Sequence, residues 1–285
     1  MEVELLNTVR EHRRLMEHTR MLIMLLLCLV ALSGTLATTH ITRANDDPAP
    51  AAGDNRLFLP LVVSGTASHP QPPELMPGLP FDPTETRTGE GTFYTLTDVV
   101  NCGLPVPADK MIGAMNNGDY ANAWLCGAFV EVTGPKGTIT VQIVDQCPEC
   151  APGDIDLSAE AFPKIADPVQ GRVDISWRVI SPDTSSPVVY HFKEGSNQWW
   201  TAIQIRNHRN PIYKVEYQDS NGQFREIPRE NYNYFVGDSR EGNEMGPGPY
   251  TLRITDIYGH TLTDSGISLV VAGEVSGSGQ FPKVP

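Results

Sequence analysis

The chain has 285 residues, 40% hydrophobic and 19% charged, which is enough apolar material for a packed core and excludes wholesale disorder. A formal charge of −13 argues against a sequence-independent nucleic-acid binder, which needs a basic surface, and against adhesion to anionic membranes or strongly acidic polymers. Its 25 glycines and 24 prolines favour many turns, hence short strands rather than long helices.

Residues 1–40 read as an N-terminal extension and signal peptide. Met21–Leu32 is an uncharged apolar run preceded by Arg10, Arg13, Arg14 and Arg20 and followed by Ser33, Gly34 and Ala37. It is shorter than the roughly 20 residues a membrane span needs, and the pattern is that of a secretory signal. A secreted, extracellular protein with no membrane domain after signal removal is expected. Residues 41–87 hold nine prolines without a sustained period and read as an extended linker. Within it, Leu57–Val63 has the composition of a short docking strand.

From residue 88 the pattern is one of short strands. Phe129–Thr133, the turn Gly134–Gly137 and Thr138–Val144 predict a β-hairpin, with Ile139, Val141 and Ile143 alternating against Thr138, Thr140 and Gln142. Ser158 is a suitable N-cap for a short helix through Ala161 to Ile165, broken early by Pro163. Val173, Ile175, Trp177 and Val179 alternate as a further strand. Ser181–Pro187 is a connector that divides residues 88–181 from 186–285. In the second half, Val188–Lys193 and Trp199–Arg206 read as strands. Asn221–Gly222 is a hairpin signal, and Tyr258–Gly259 marks another tip. Turns at this spacing predict a β-sandwich.

Removal of the signal leaves Cys102, Cys126, Cys147 and Cys150. In an exported chain an even count favours two disulfides, with three connectivities open. Zinc is the alternative for Cys147-Pro-Glu-Cys150, but no histidine lies near that pair in sequence.

The familiar phosphate-binding, zinc-protease and serine-hydrolase motifs are absent from the sequence. The densest cluster of unusual residues is Val144–Ser158. Asp145 ends a predicted strand. Asp156 alternates against Ile155 and Leu157, which turns it away from the core into a groove or solvent. The plain alternative is a turn aspartate or a helix-entry charge.

Residues 88–285 resemble a bacterial expansin. The matching pieces are Gly91–Tyr94, Ala114–Asn116, Val132–Gly137, Val144-Asp145, Gly153–Phe162, Ile175–Val179, Lys193–Gly195, Trp199-Trp200 and Arg206–His208, in order over about 200 residues. The resemblance implies a mainly β protein: a six-stranded double-psi β-barrel (88–181) followed by an immunoglobulin-like β-sandwich (186–285) acting as a family 63 carbohydrate-binding module. It implies non-hydrolytic loosening of cell walls through a barrel groove containing Thr92, Tyr94, Asp145 and Asp156, with Asp156 the indispensable acid. It also implies a cellulose-binding surface of Lys193, Trp199, Trp200 and Tyr232. Some bacterial relatives carry a groove tyrosine where this chain has Cys147. Of the three disulfide connectivities, Cys102–Cys126 with Cys147–Cys150 is the expected one.

The two tryptophans are adjacent, so strict alternation sends them to opposite faces and groups Trp199 with Ile203 and Ile205 as core. Display of both rings requires a bulge or turn near Ser196-Asn197. The barrel also resembles that of family 45 glycoside hydrolases, whose cleavage needs two carboxylates. The base position of those enzymes falls on Leu96, with Asp98 two residues on, and Asp145 and Asp154 are expected on the same groove side as Asp156. The expected partner is a polysaccharide: cellulose, xylan, xyloglucan or peptidoglycan. No cofactor, metal or nucleic acid is expected, and a monomer is. The rivals are a glycoside hydrolase or peptidoglycan-cleaving enzyme using Asp156 as general acid, and a pure carbohydrate-binding protein.

Overall fold

A computed structural model describes residues 75–96 and 99–284. The signal-like run, the stretch Leu57–Val63 and Asp98 lie outside the described residues. The fold is mainly β, and no described helix is long and apolar enough to cross a membrane.

Six strands close a barrel in the order β1-β5-β2-β4-β3-β6: β1 (Arg87–Tyr94), β2 (Ile112–Asn116), β3 (Phe129–Gly134), β4 (Gly137–Cys147), β5 (Ile155–Ser158) and β6 (Val173–Ile180). β1 runs parallel to β5, and β2 parallel to β4, while the other ladders are antiparallel. The β3–β4 hairpin has the expected register, with Thr133 opposite Thr138. In β6, Val173, Ile175, Trp177 and Val179 are all buried, as their alternation predicts. They fill the barrel with Ile143, Ile155, Leu157 and Phe162.

The chain crosses itself at close quarters where β1 passes the turn before β5. A Cβ on Gly89 would lie 2.3 Å from the Gly153 backbone, and one on Gly153 would lie 2.2 Å from the Thr88 carbonyl. Gly153 also sits at φ +90°, a conformation that side chains rarely adopt. The crossing is tied by Trp177, whose indole N–H donates to the Gly153 carbonyl at 2.7 Å. Asp119 supports it too, accepting from Gly153 N–H at 3.0 Å and pairing with Arg87 at 2.5 Å.

The predicted helix after Ser158 shrinks to one 3₁₀ turn, Phe162–Lys164. Ser158 itself ends β5, yet its hydroxyl still accepts from Ala161 N–H at 3.0 Å. Pro163 lacks the N–H that a longer helix would need.

The second half stacks two four-stranded sheets. One has the order β10-β9-β12-β13, from β9 (Ile212–Gln218), β10 (Phe224–Ile227), β12 (Tyr250–Asp256) and β13 (Thr261–Ile267). The other has the order β11-β8-β7-β14, from β7 (Val189–Phe192), β8 (Trp200–Arg206), β11 (Phe235–Asp238) and β14 (Glu274–Ser276). Tyr190, Phe192, Ile203 and Ile205 of the second sheet pack against Val215, Leu252 and Ile254 of the first. The predicted tips are present: Gly222 at φ +78° between β9 and β10, and Gly259 at φ +81° between β12 and β13.

Barrel and sandwich are joined by buried and partly buried polar contacts. The Tyr120 hydroxyl donates to Asn231 O at 2.7 Å, and the Gln204 side chain donates to Cys102 O at 2.8 Å. The Arg229 guanidinium lies between the rings of Trp124 and Phe235, at 4.8 and 4.6 Å from their centroids. It donates to the carbonyls of Ala123 and Ile212. Burial pushes it down to about 9, still protonated at neutral pH. The proline-rich stretch docks at its C-terminal end: Phe81 is buried, and Met76 N–H donates to Ile257 O at 2.9 Å.

Candidate functional site

Two surfaces collect the residues singled out in the sequence. The first is a groove on the barrel with a cavity of about 370 Å³, lined among others by Thr92, Phe93, Cys147, Glu149, Asp156 and Arg172. Parallel pairing of β1 with β5 sets Thr92 directly opposite Asp156. The Thr92 hydroxyl donates to Asp156 Oδ1 at 2.5 Å. Ile155 and Leu157 are fully buried while Asp156 is half-buried, so alternation places the carboxyl as expected. Burial raises its pKa, the Thr92 hydrogen bond opposes the rise, and the nearby Glu149 charge adds to it. Asp156 therefore holds its proton to higher pH than a free aspartate does.

The other acids are engaged differently. Asp154 lines the groove, but its two oxygens accept from the backbone N–H groups of Glu90 (2.8 Å) and Ala151 (3.1 Å). It is a buried turn-former. Asp145 accepts from Asn101 N–H at 2.8 Å and Gln146 N–H at 2.9 Å. Burial first, then the charges of Asp145 and Asp156, hold the Tyr94 hydroxyl well above its ordinary range. Leu96, at the hydrolase base position, packs against the barrel core.

Both cysteine pairs are disulfides, Cys102–Cys126 and Cys147–Cys150. The second forms part of the groove wall. Sequence reasoning missed Phe93, Glu149 and the Arg172–Glu90 ion pair in this groove. Glu90 and Arg172 stand 82 positions apart and meet across the antiparallel β1–β6 side of the barrel, a proximity no local pattern reveals.

The second surface lies on the outer face of the β11-β8-β7-β14 sheet. The expectation that Trp199 joins Ile203 and Ile205 in the core is overturned: Trp199 is 59% exposed, while those two isoleucines are buried. The cause is a turn at Asn197. Its side-chain oxygen accepts from the N–H groups of both Trp199 (2.9 Å) and Trp200 (3.2 Å). Asn197 and Trp200 also exchange backbone hydrogen bonds. Regular alternation therefore starts only at Trp200, and Trp199 precedes the strand. Trp200 and Tyr232 are half-buried against a small cluster of Ala202, Tyr234 and Val236. Tyr232 and Tyr234 have ring centroids 5.8 Å apart, and Lys193 Nζ sits 5.2 Å over the Tyr234 ring. Tyr234 is the member of this strip that the sequence did not single out. It is largely buried and serves as the base on which Tyr232 and Lys193 rest.

A closed barrel of this topology with a polar, acid-bearing groove, followed by a sandwich with an aromatic strip, defines a class of two-module β protein. The family model described as lytic transglycolase matches residues 112–177, within the barrel. Expansin-YoaJ of Bacillus subtilis (strain 168) is 38% identical over 188 residues, which span 63% of this chain and 78% of that protein. Expansin-like protein 2 of Dictyostelium discoideum is 28% identical over 214 residues, covering 70% of this chain and 51% of that protein. Among solved structures, the apo expansin of Clavibacter michiganensis matches with a TM-score of 0.65 at 35% identity, covering 70% of this chain and all of that one. A mutant of the same expansin in complex with cellohexaose matches equally well. The chain belongs to the expansin family.

Proposed function

We propose that this protein is a secreted, monomeric expansin that binds cellulose-type polysaccharide and loosens it without hydrolysis. The observation that carries the reading is the pairing of one shielded, hydrogen-bonded acid, Asp156, with a separate exposed aromatic strip. Aromatic faces stack on the C–H faces of pyranose rings and exclude water, which suits a flat glycan. The relative in complex with cellohexaose supports a glucan as the ligand. In this reading Trp199, Trp200, Tyr232 and Lys193 hold the polymer, while Thr92 and Asp156 grip a chain in the groove.

Hydrolysis requires a second carboxylate across the sugar ring to activate water or attack carbon. The matched position is the apolar Leu96, and Asp154 has both oxygens committed to backbone N–H groups. An Asp156 carboxyl with a raised pKa then serves as a hydrogen-bonding group that exchanges partners along a glucan. Such exchange weakens contacts between chains without breaking a bond. Xylan, xyloglucan and peptidoglycan remain the competing polymers.

The test is co-sedimentation of the full chain with microcrystalline cellulose, xylan and purified peptidoglycan. Preferential depletion by cellulose is expected. Depletion by peptidoglycan alone would replace this reading with one directed at bacterial walls.

A further inference from the structure

Residues 75–86 precede both the barrel strands and the stretch that resembles the expansins, yet they touch barrel and sandwich in turn. At the start of the segment Met76 N–H donates to Ile257 O at 2.9 Å, and the Tyr213 hydroxyl donates to Pro77 O at 2.9 Å. Tyr213 is in β9 and Ile257 is at the β12–β13 tip, so both anchors are on the sandwich. A Cβ on Gly259, at the same tip, would lie 3.3 Å from Met76 Sδ, so the thioether rests against that turn. Further on, Phe81 is buried in the core cluster of the barrel, and Leu79 packs against it. The same cluster takes in Ile257 and is flanked by Tyr213 and Tyr258. The seam between the modules is therefore apolar on this side, and the segment fills it.

Polar contacts between modules leave relative motion as the ordinary outcome, and a packed apolar interface suppresses it. The hydrogen bonds of Tyr120 and Gln204 are of the first kind, and the segment adds the second. Met76 and Phe81 are five positions apart, so the chain between the anchors reaches at most about 17 Å. Opening of the seam is limited to that reach while both anchors hold. Pro77, Pro80 and Pro83 each fix φ, which lowers the entropy lost when the segment is ordered.

We propose that residues 75–86 are a clasp that holds the barrel groove and the sandwich strip in one relation, and that wall loosening depends on that relation. The second part rests on the wall-loosening reading above, and the first does not. Met76 and Phe81 are positioning residues, acting through the two surfaces rather than on the polymer.

The experiment inserts a flexible spacer of about six Gly and Ser residues between Gly78 and Leu79 of the full chain. Pro77 and Gly78 are exposed, and a Cβ on Gly78 would meet nothing within 4 Å, so both anchors stay and only the tether lengthens. Residual dipolar couplings of the two modules are measured beside cellulose depletion and creep of heat-inactivated plant wall. The wild-type modules are expected to share one alignment tensor, and those of the insertion variant to give two. Cellulose depletion is expected to be unchanged and creep to be lost in large part. Phe81→Ala, which removes the barrel anchor, is expected to behave like the insertion, and Phe81→Leu, which keeps an apolar group there, like the wild type. One shared tensor in the insertion variant would overturn the clasp. Two tensors with creep at the wild-type level would overturn the dependence of loosening on it. If Phe81→Ala does not fold, the insertion variant decides, since it keeps every side chain. A wild-type chain that binds cellulose but causes no creep would instead remove the wall-loosening reading, and the tensors would still decide the clasp.

Discussion

In the barrel, Asp156 is half-buried, hydrogen-bonded to Thr92 and surrounded by other carboxylates; in the sandwich, Trp199 projects with 59% of its surface exposed and Trp200 lies beside it. The groove holds few donors and acceptors in fixed register between β1 and β5, whereas the strip offers ring faces with little directional bonding. A surface of rings tolerates sliding of a flat ligand, while a recessed hydrogen-bonded acid selects one chain and one orientation. In the proposed reading, holding the polymer and disturbing it fall to different modules, which the contacts of Tyr120, Gln204 and Arg229 join.

That division is most sharply broken at Asp156. Asp156→Asn keeps the shape and removes the charge and the exchangeable acid proton. It is expected to abolish wall creep while leaving cellulose binding nearly unchanged. Full creep activity in this variant would end the groove assignment.

The reciprocal change is Trp199→Ala with Trp200→Ala. At about 1–3 kcal/mol per stacked ring, the pair is expected to weaken cellulose binding by at least tenfold. Creep of a wall supplied with excess protein is then expected to fall much less than binding. Equal losses of both would mean that the modules do not work separately.

The junction offers a third comparison. Arg229→Ala removes two ring contacts and hydrogen bonds to Ala123 O and Ile212 O at a partly buried site. A loss of about 2–4 kcal/mol of stability is expected in urea unfolding, because the carbonyls it satisfied are left without partners. Replacing either partner of an exposed pair such as Lys110–Glu160 is expected to leave the urea midpoint nearly unchanged, because solvent screens the attraction.

The smallest effects are in pH dependence, and two groups give opposite signs. Burial pushes His208 down to about 4, so between its ordinary value near 6.5 and that value the unfolded chain binds the extra proton. Stability contributed by neutral His208 is present above about 6.5 and lost as pH falls toward 4. Asp156 is raised, so the folded chain holds its proton longer, and stability is lost as pH rises through the raised value. Asp156→Asn is therefore expected to be more stable than the wild type at neutral pH, with the difference vanishing below about pH 4. Unfolding free energies from pH 4 to 7.5 check both signs.

How much of this was legible in the sequence depended on whether the determinant was local. The alternation of Val173, Ile175, Trp177 and Val179 is a property of eight consecutive residues, and it survives folding because β6 is regular. The same rule failed at Trp199, because the side chain of Asn197 captures two backbone N–H groups and delays the strand by one residue. Asp156 was readable from its flanking Ile155 and Leu157, yet its partner Thr92 lies 64 positions away and becomes a neighbour only through the parallel β1–β5 ladder. The close crossing of Gly89 and Gly153 carries no local signature, since each glycine is explained only by the other's backbone. Phe93 was hidden for a related reason, as a phenylalanine in a strand reads as core until its exposure is seen.

The central claim is that the two surfaces loosen a wall without cutting it. Constant-load extension of heat-inactivated plant cell wall, with reducing ends counted in the same chamber, tests it most directly. Creep that begins on addition of the protein while reducing ends stay at the buffer level is the predicted result. Reducing ends that rise in step with creep, and vanish together with it in Asp156→Asn, would contradict the account and make the protein a hydrolase.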